Sequence, residues 1–106
     1  MHIQIVTFNL ENATQQDYLA LSHELALTFA EIPGLQTKYW LADPAANTYG
    51  GVYIWTNRAA MDTYRAGEVA AFVAAHPNLT NITSKDFGIL EAPTRLTRGL
   101  PAIQAS

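Results

Sequence analysis

His76, Asp86 and Arg65 are the side chains best suited to acid–base work on a small organic molecule. A histidine, with an unperturbed pKa near ~6.5, exchanges a proton readily at neutrality and serves as a general base. His76 closes "EVAAFVAAH" (68–76), where Val69, Phe72, Val73 and His76 recur on one helical face. Its imidazole is therefore expected to point toward the sheet. A histidine at a helix C-terminus also has a structural use, because its charge complements the helix dipole. Asp86, in "TNITSKDFGIL" (80–90), shares a parity with Ile82, Ser84 and Gly88. A desolvated carboxylate has a raised pKa and can act as a base toward a phenol or an acidic C–H. The alternatives are an edge-strand charge that blocks aggregation, or an ion pair with Lys85 or Arg65. Arg65, beside Tyr64, can hold a phenolate or a carboxylate.

Aromatic residues are the expected walls of a pocket: Tyr39, Trp40, Tyr53, Trp55, Tyr64 and Phe72, with Tyr18 and Tyr49 in the same set. Each can equally be core. Together they offer hydroxyl and indole N–H groups inside an apolar cavity, the usual build of a small-molecule site. Ser22 and Asn9 add polar groups. His23 falls on a flank of its helix and is expected in solvent, while His2 can reach a pocket rim or solvent. Three histidines without an i,i+4 pair or a nearby carboxylate pattern make a poor metal set, so no metal is expected. No "GxSxG" elbow, phosphate loop or dinucleotide fingerprint is present.

The elements that must position these groups follow from periodicity. "HIQIVTFNL" (2–10) reads as a strand. Thr14 then caps a long helix to Ile32, with Asp17 as capping-box partner, and Pro33-Gly34 ends it. "LQTKYWLAD" (35–43), a turn-rich connector at 43–47 and "TYGGVYIW" (48–55) form a hairpin. Asn57 caps a short helix with Met61 and Tyr64, Gly67 interrupts it, and a second piece runs to Pro77. Residues 80–90 are the fourth strand. The order β-α-β-β-α-β is that of a ferredoxin-like α+β fold: a four-stranded antiparallel sheet with helices on one face. Residues 1–93 are expected to be one domain, and 94–106 an arm or flexible tail.

The first three strands carry apolar residues at both parities, such as Ile3 and Ile5 against Val6 and Phe8. Two apolar faces require two covers, and the helices supply one. A second copy is expected on the other, giving a sheet-to-sheet homodimer. The adjacent Gly50 and Gly51 mark either a bulge or a place where something approaches the strand, under the helices or at the dimer interface.

Composition narrows the partners. Among 106 residues, 49% are hydrophobic and only 14% charged, which leaves apolar surface for an oligomer interface to cover. A net charge of −3, with no basic stripe, argues against nucleic acid. The absence of cysteine removes disulfides and thiol chemistry. The opening residues read as strand rather than signal peptide, and no apolar run nears the ~20 residues of a membrane span. A cytoplasmic protein without membrane contact is expected.

"IPGLQTKYW" with "GGVYIW", the broken helix and the last strand leading to "EAP" together resemble the small YdhR-type monooxygenase family of the dimeric α+β barrel superfamily. The resemblance spans roughly residues 2–93. It implies a dimer whose two sheets close into one barrel, with a pocket in each subunit between sheet and helices. It also implies oxidation of anthrone- or quinol-like phenols by O₂ without flavin or metal. Other members of that superfamily cyclise polyketides, isomerise lactones or degrade haem, so the scaffold alone does not select the reaction. The function expected is a cofactor-independent oxygenase of a phenolic or polyketide-like aromatic compound, with natural-product biosynthesis as its setting. The alternatives are a cofactor-free cyclase, isomerase or lyase working beside a carbonyl, or a non-catalytic ligand-binding dimer.

Overall fold

Strand alternation and helix caps place the elements close to where the residues predict. In the computed structural model, which describes residues 1–100, β1 is His2–Leu10, β2 Leu35–Asp43, β3 Thr48–Trp55 and β4 Leu79–Gly88. The long helix α1 spans Gln15–Ala30. Thr14 accepts from the Asp17 N–H while Asp17 accepts from the Thr14 N–H, a complete capping box. Asn57 caps α2, Arg58–Arg65, through the Ala60 N–H. Gly67 separates α2 from α3, Glu68–Ala75. A further helix, α4, covers Glu91–Leu96 and so crosses the expected domain boundary at residue 93. The expected arm beyond residue 100 lies outside the described residues.

The strands form one antiparallel sheet in the order β2-β3-β1-β4, the ferredoxin-like arrangement. Its helix-covered face carries His2, Gln4, Val6 and Phe8 of β1, and Tyr49, Tyr53 and Trp55 of β3, all buried. Phe29 of α1, with Met61 and Tyr64 of α2, closes over them. Burying one side chain of this size contributes roughly 1.5–3 kcal/mol, so Phe29, Met61 and Trp55 anchor the two layers.

Gly50 and Gly51 do not form a bulge. The β1–β3 register runs unbroken from His2↔Trp55 to Phe8↔Tyr49, and the β2–β3 shift lies instead between Leu35 and Thr37. What approaches Gly50 is the neighbouring strand. Its φ is +153°, and a Cβ there would stand 1.9 Å from the Val6 carbonyl oxygen. Gly51 has another role, described below. The face away from the helices presents Ile3, Ile5, Tyr39, Leu41, Val52, Ile54 and Phe87, with Tyr39 61% and Phe87 54% exposed.

Candidate active site

The alternation of β1 puts two polar residues, His2 and Gln4, on the buried parity beside Val6 and Phe8. Buried polar groups need partners, and β4 supplies them. Gln4 donates from Nε2 to Ser84 Oγ at 3.1 Å, and its Oε1 accepts from the Trp55 indole at 3.0 Å. His2 Nε2 lies 2.6 Å from Asp86 Oδ2. The His2 hydrogen bond holds the Asp86 carboxyl below its ordinary value, helped by the positive charges of His2, Arg58 and Arg65. The expectation of a raised Asp86 pKa is thereby corrected: its partner outweighs its desolvation. An ionised carboxylate only accepts, so His2 Nε2 is the donor of this pair.

A cleft of about 190 Å³ opens above this row, between the β1–β4 half of the sheet and α2–α3. Gln4, Tyr53, Tyr64, Arg65 and Ser84 supply its polar lining, with Val6, Ala70, Val73 and Ile82 as apolar wall. Burial pushes the phenols of Tyr53 and Tyr64 above their usual range, so both stay protonated and available as donors. Tyr64 also rests on Trp55 at 5.2 Å between centroids. The cleft combines a charged donor, Arg65, with neutral hydroxyl donors, and the His2–Asp86 pair lies farther along the same strands.

A larger cleft, about 330 Å³, lies under α1 between Tyr18, Ser22, His23, Trp40 and Tyr49. It is roomier but poorer in chemistry. Ser22 donates to the Tyr18 carbonyl and Tyr49 donates to Gln15 Oε1. The predicted site residues therefore divide. Arg65, Tyr53 and Tyr64 line the smaller cleft, with Trp55 and Asp86 tied to its floor; Ser22 and Trp40 line the larger. His76 is at neither. As C-cap of α3, its Nδ1 accepts from the Asn78 N–H, and it lines a separate recess with Tyr18 and Leu79. Phe72 is half exposed against its ring, and Tyr39 is on the open sheet face.

Gln4 was the missed member of the first cleft, and its parity with Val6 and Phe8 was the available signal; His2, expected at a pocket rim or in solvent, is instead buried against Asp86 next to it. Lys38 was missed altogether. It shares the helix-facing parity of Trp40 on β2, and its ammonium nitrogen stands 3.4 Å from the Phe29 ring centroid and 3.5 Å from that of Trp40. Gly51 makes room for it: a Cβ there would meet Lys38 Cε at 2.9 Å. Among the described residues, no cluster of three or more His, Asp or Glu side chains could hold a metal ion, and no helix is long and apolar enough to cross a membrane.

Fold and geometry together define a ferredoxin-like α+β protein with clefts between sheet and helices. The chain belongs to the family described as "Putative mono-oxygenase ydhR", whose model matches residues 3–100. Solved structures share the fold at low identity. A Deinococcus radiodurans protein assigned to the antibiotic biosynthesis monooxygenases aligns with TM-score 0.69 and 19% identity, over 87% of this chain and 95% of that one. SnoaB of Streptomyces nogalater, a cofactor-independent oxygenase, aligns in a mutant form with TM-score 0.67 and 18% identity, over 86% and 95%. The heme-degrader MhuD of Mycobacterium tuberculosis, with two hemes bound in its active site, aligns with TM-score 0.68 and 17% identity, over 85% and 96%. No curated protein sequence matches the chain.

Proposed function

We propose that the chain is a cofactor-independent oxygenase of a phenolic or polyketide-like aromatic compound, acting in the cleft between β1–β4 and α2–α3 as a cytoplasmic homodimer. The observation that carries this reading is the convergence of Arg65, Tyr64, Gln4 and Ser84 on one small cleft beside the His2–Asp86 pair. An anthrone-like substrate has an acidic CH₂ flanked by phenolic rings. His2 Nδ1 takes a proton from it, Asp86 steadies the resulting imidazolium, and Arg65 with Tyr64 stabilises the enolate oxygen. The carbanion supplies the electrons: it adds to O₂ to form a C–O–O⁻ bond, the peroxide is protonated, and loss of water leaves a carbonyl. One CH₂ and one O₂ become one C=O and one water. The protein contributes orientation, desolvation and charge stabilisation. Members of the same fold that are described as oxygenases support the reading.

The open sheet face supports the dimer. A contiguous apolar patch from four strands is what a second sheet covers, and Phe87 and Tyr39 are its most exposed members.

Oxygen uptake by metal-free protein, with anthrones, quinols and enolisable polyketides, tests the reaction. One O₂ consumed per quinone formed, above background autoxidation, is the expected result. Substrate loss without oxygen uptake would replace the oxygenase by a cyclase, isomerase or lyase.

A further inference from the structure

Lys38, half-buried between the sheet and α1, is a titratable side chain that the proposed oxygenase chemistry leaves unused. Its surroundings are unusual for an amine. Phe29 of α1, Trp40 of β2 and Tyr53 of β3 turn their rings toward Nζ, at 3.4, 3.5 and 4.6 Å from the centroids. Among the described residues the ε-amine makes no ion pair. Of these three contacts only Tyr53 titrates, and burial keeps its phenol protonated. The ring faces attract the ammonium, whereas burial without a carboxylate favours the free amine. Burial holds Lys38 down to about 7. A separate cleft of about 270 Å³ reaches this amine from outside, lined by Ala26, Phe29, Leu35, Thr37, Lys38 and Trp40.

We propose that Lys38 is a covalent site for carbonyl compounds, its amine condensing with small aromatic aldehydes or ketones that enter between α1 and β2. The Nζ lone pair attacks the carbonyl carbon and the C=O π pair moves to oxygen. A proton passes from nitrogen to that oxygen, giving a carbinolamine. Loss of water then leaves the imine. Amine plus carbonyl yields imine plus water, and no oxidant or reductant is consumed. Trp40, only partly buried at the mouth of this cleft, gives an entering aryl ring an aromatic wall to meet, which selects aromatic over aliphatic carbonyls. Gly51 is part of the site, because a side chain there would push on the lysine stem. A desolvated amine is the usual state of a Schiff-base lysine.

Lys85, the only other lysine, is exposed on β4 of the single chain but shares the open sheet face with Ile5 and Phe87. Free Nα-acetyl-lysine in the same reaction therefore fixes the rate of a fully solvated amine beside it. Benzaldehyde with cyanoborohydride at pH 7, followed by peptide mapping, traps any imine as a stable benzyl amine. An ordinary lysine is neutral only on the order of once in a thousand at that pH. Lys38 is expected to be modified at least about tenfold faster than Lys85, with the ratio approaching one in urea. Lys38→Arg should abolish that adduct while leaving the circular dichroism unchanged. Propionaldehyde should show a smaller Lys38 to Lys85 ratio than benzaldehyde. Equal modification of the two lysines in the folded chain would overturn the proposal, and equal ratios for the two aldehydes would overturn its ligand class.

Discussion

Two halves of one sheet handle buried polarity in opposite ways, and two adjacent glycines mark the division. On the β1–β4 half, every polar group named finds a polar partner: Ser84 with Gln4, Gln4 with Trp55, His2 with Asp86. On the β2–β3 half, Lys38 has ring faces and no counter-charge. The first arrangement fixes orientation and keeps Asp86 ionised; the second leaves an amine that loses its proton easily. Pairing sets where a proton sits, and isolation sets when it leaves. Gly50 serves the first half, by letting β3 lie against the β1 backbone. Gly51 serves the second, by leaving room for Lys38.

The sharpest way to break the comparison is to fill each glycine in turn. Gly50→Ala would place a Cβ 1.9 Å from a backbone carbonyl at φ +153°, which no side-chain movement relieves. A loss of roughly 4 kcal/mol or failure to fold is expected, read by urea denaturation. Next comes the catalytic pair. His2→Ala is expected to lower kcat for oxygen uptake by roughly 10²–10⁴ with the fold retained. Asp86→Asn should cost less and move the pH profile, since the imidazole survives without its anionic partner.

Lys38 makes a third prediction, through stability. Its folded pKa of about 7 lies below the unfolded value of 10.5, so the unfolded chain binds more protons between those pH values. Stability therefore rises with pH across that window, by roughly 2–4 kcal/mol. Above about 10 the trend reverses, because the unfolded tyrosines ionise while Tyr18, Tyr53 and Tyr64 resist in the fold. Denaturant melts from pH 7 to 11 should show this maximum, and Lys38→Met should flatten its rising limb. The smallest effect belongs to Gly51→Ala. Its nearest neighbours are the Lys38 stem, which can shift, and the Tyr53 ring and Tyr39 carbonyl, which give less, so a cost of about 1–2 kcal/mol is expected. The same substitution should slow benzaldehyde labelling at Lys38.

Much of the fold was legible because its signals are local. Thr14 with Asp17, Asn57, Pro33-Gly34 and the two-residue alternation of four strands each act within a few positions, and the elements follow them. The chemistry was less legible because it depends on register. Nothing local in "HIQIV" joins His2 to Asp86, 84 residues away; only the β1–β4 ladder brings them together. Lys38 was hidden for a related reason. A lysine next to tyrosine on a strand looks solvated until a glycine on the neighbouring strand and a phenylalanine from another layer are seen to enclose it. His76 shows the converse: its helical phase was readable, while the turn at Asn78 that occupies its Nδ1 was not.

The central claim is that a phenolic substrate occupies the β1–β4 cleft rather than the larger space under α1. Amide chemical-shift mapping with a dihydroxynaphthalene under nitrogen separates the two directly, since the ligand binds without being oxidised. The account predicts saturable shifts at Gln4, Tyr64, Arg65 and Ser84, lost in Arg65→Ala. Shifts centred on Leu19, Ser22 and Ala42, indifferent to Arg65, would contradict it.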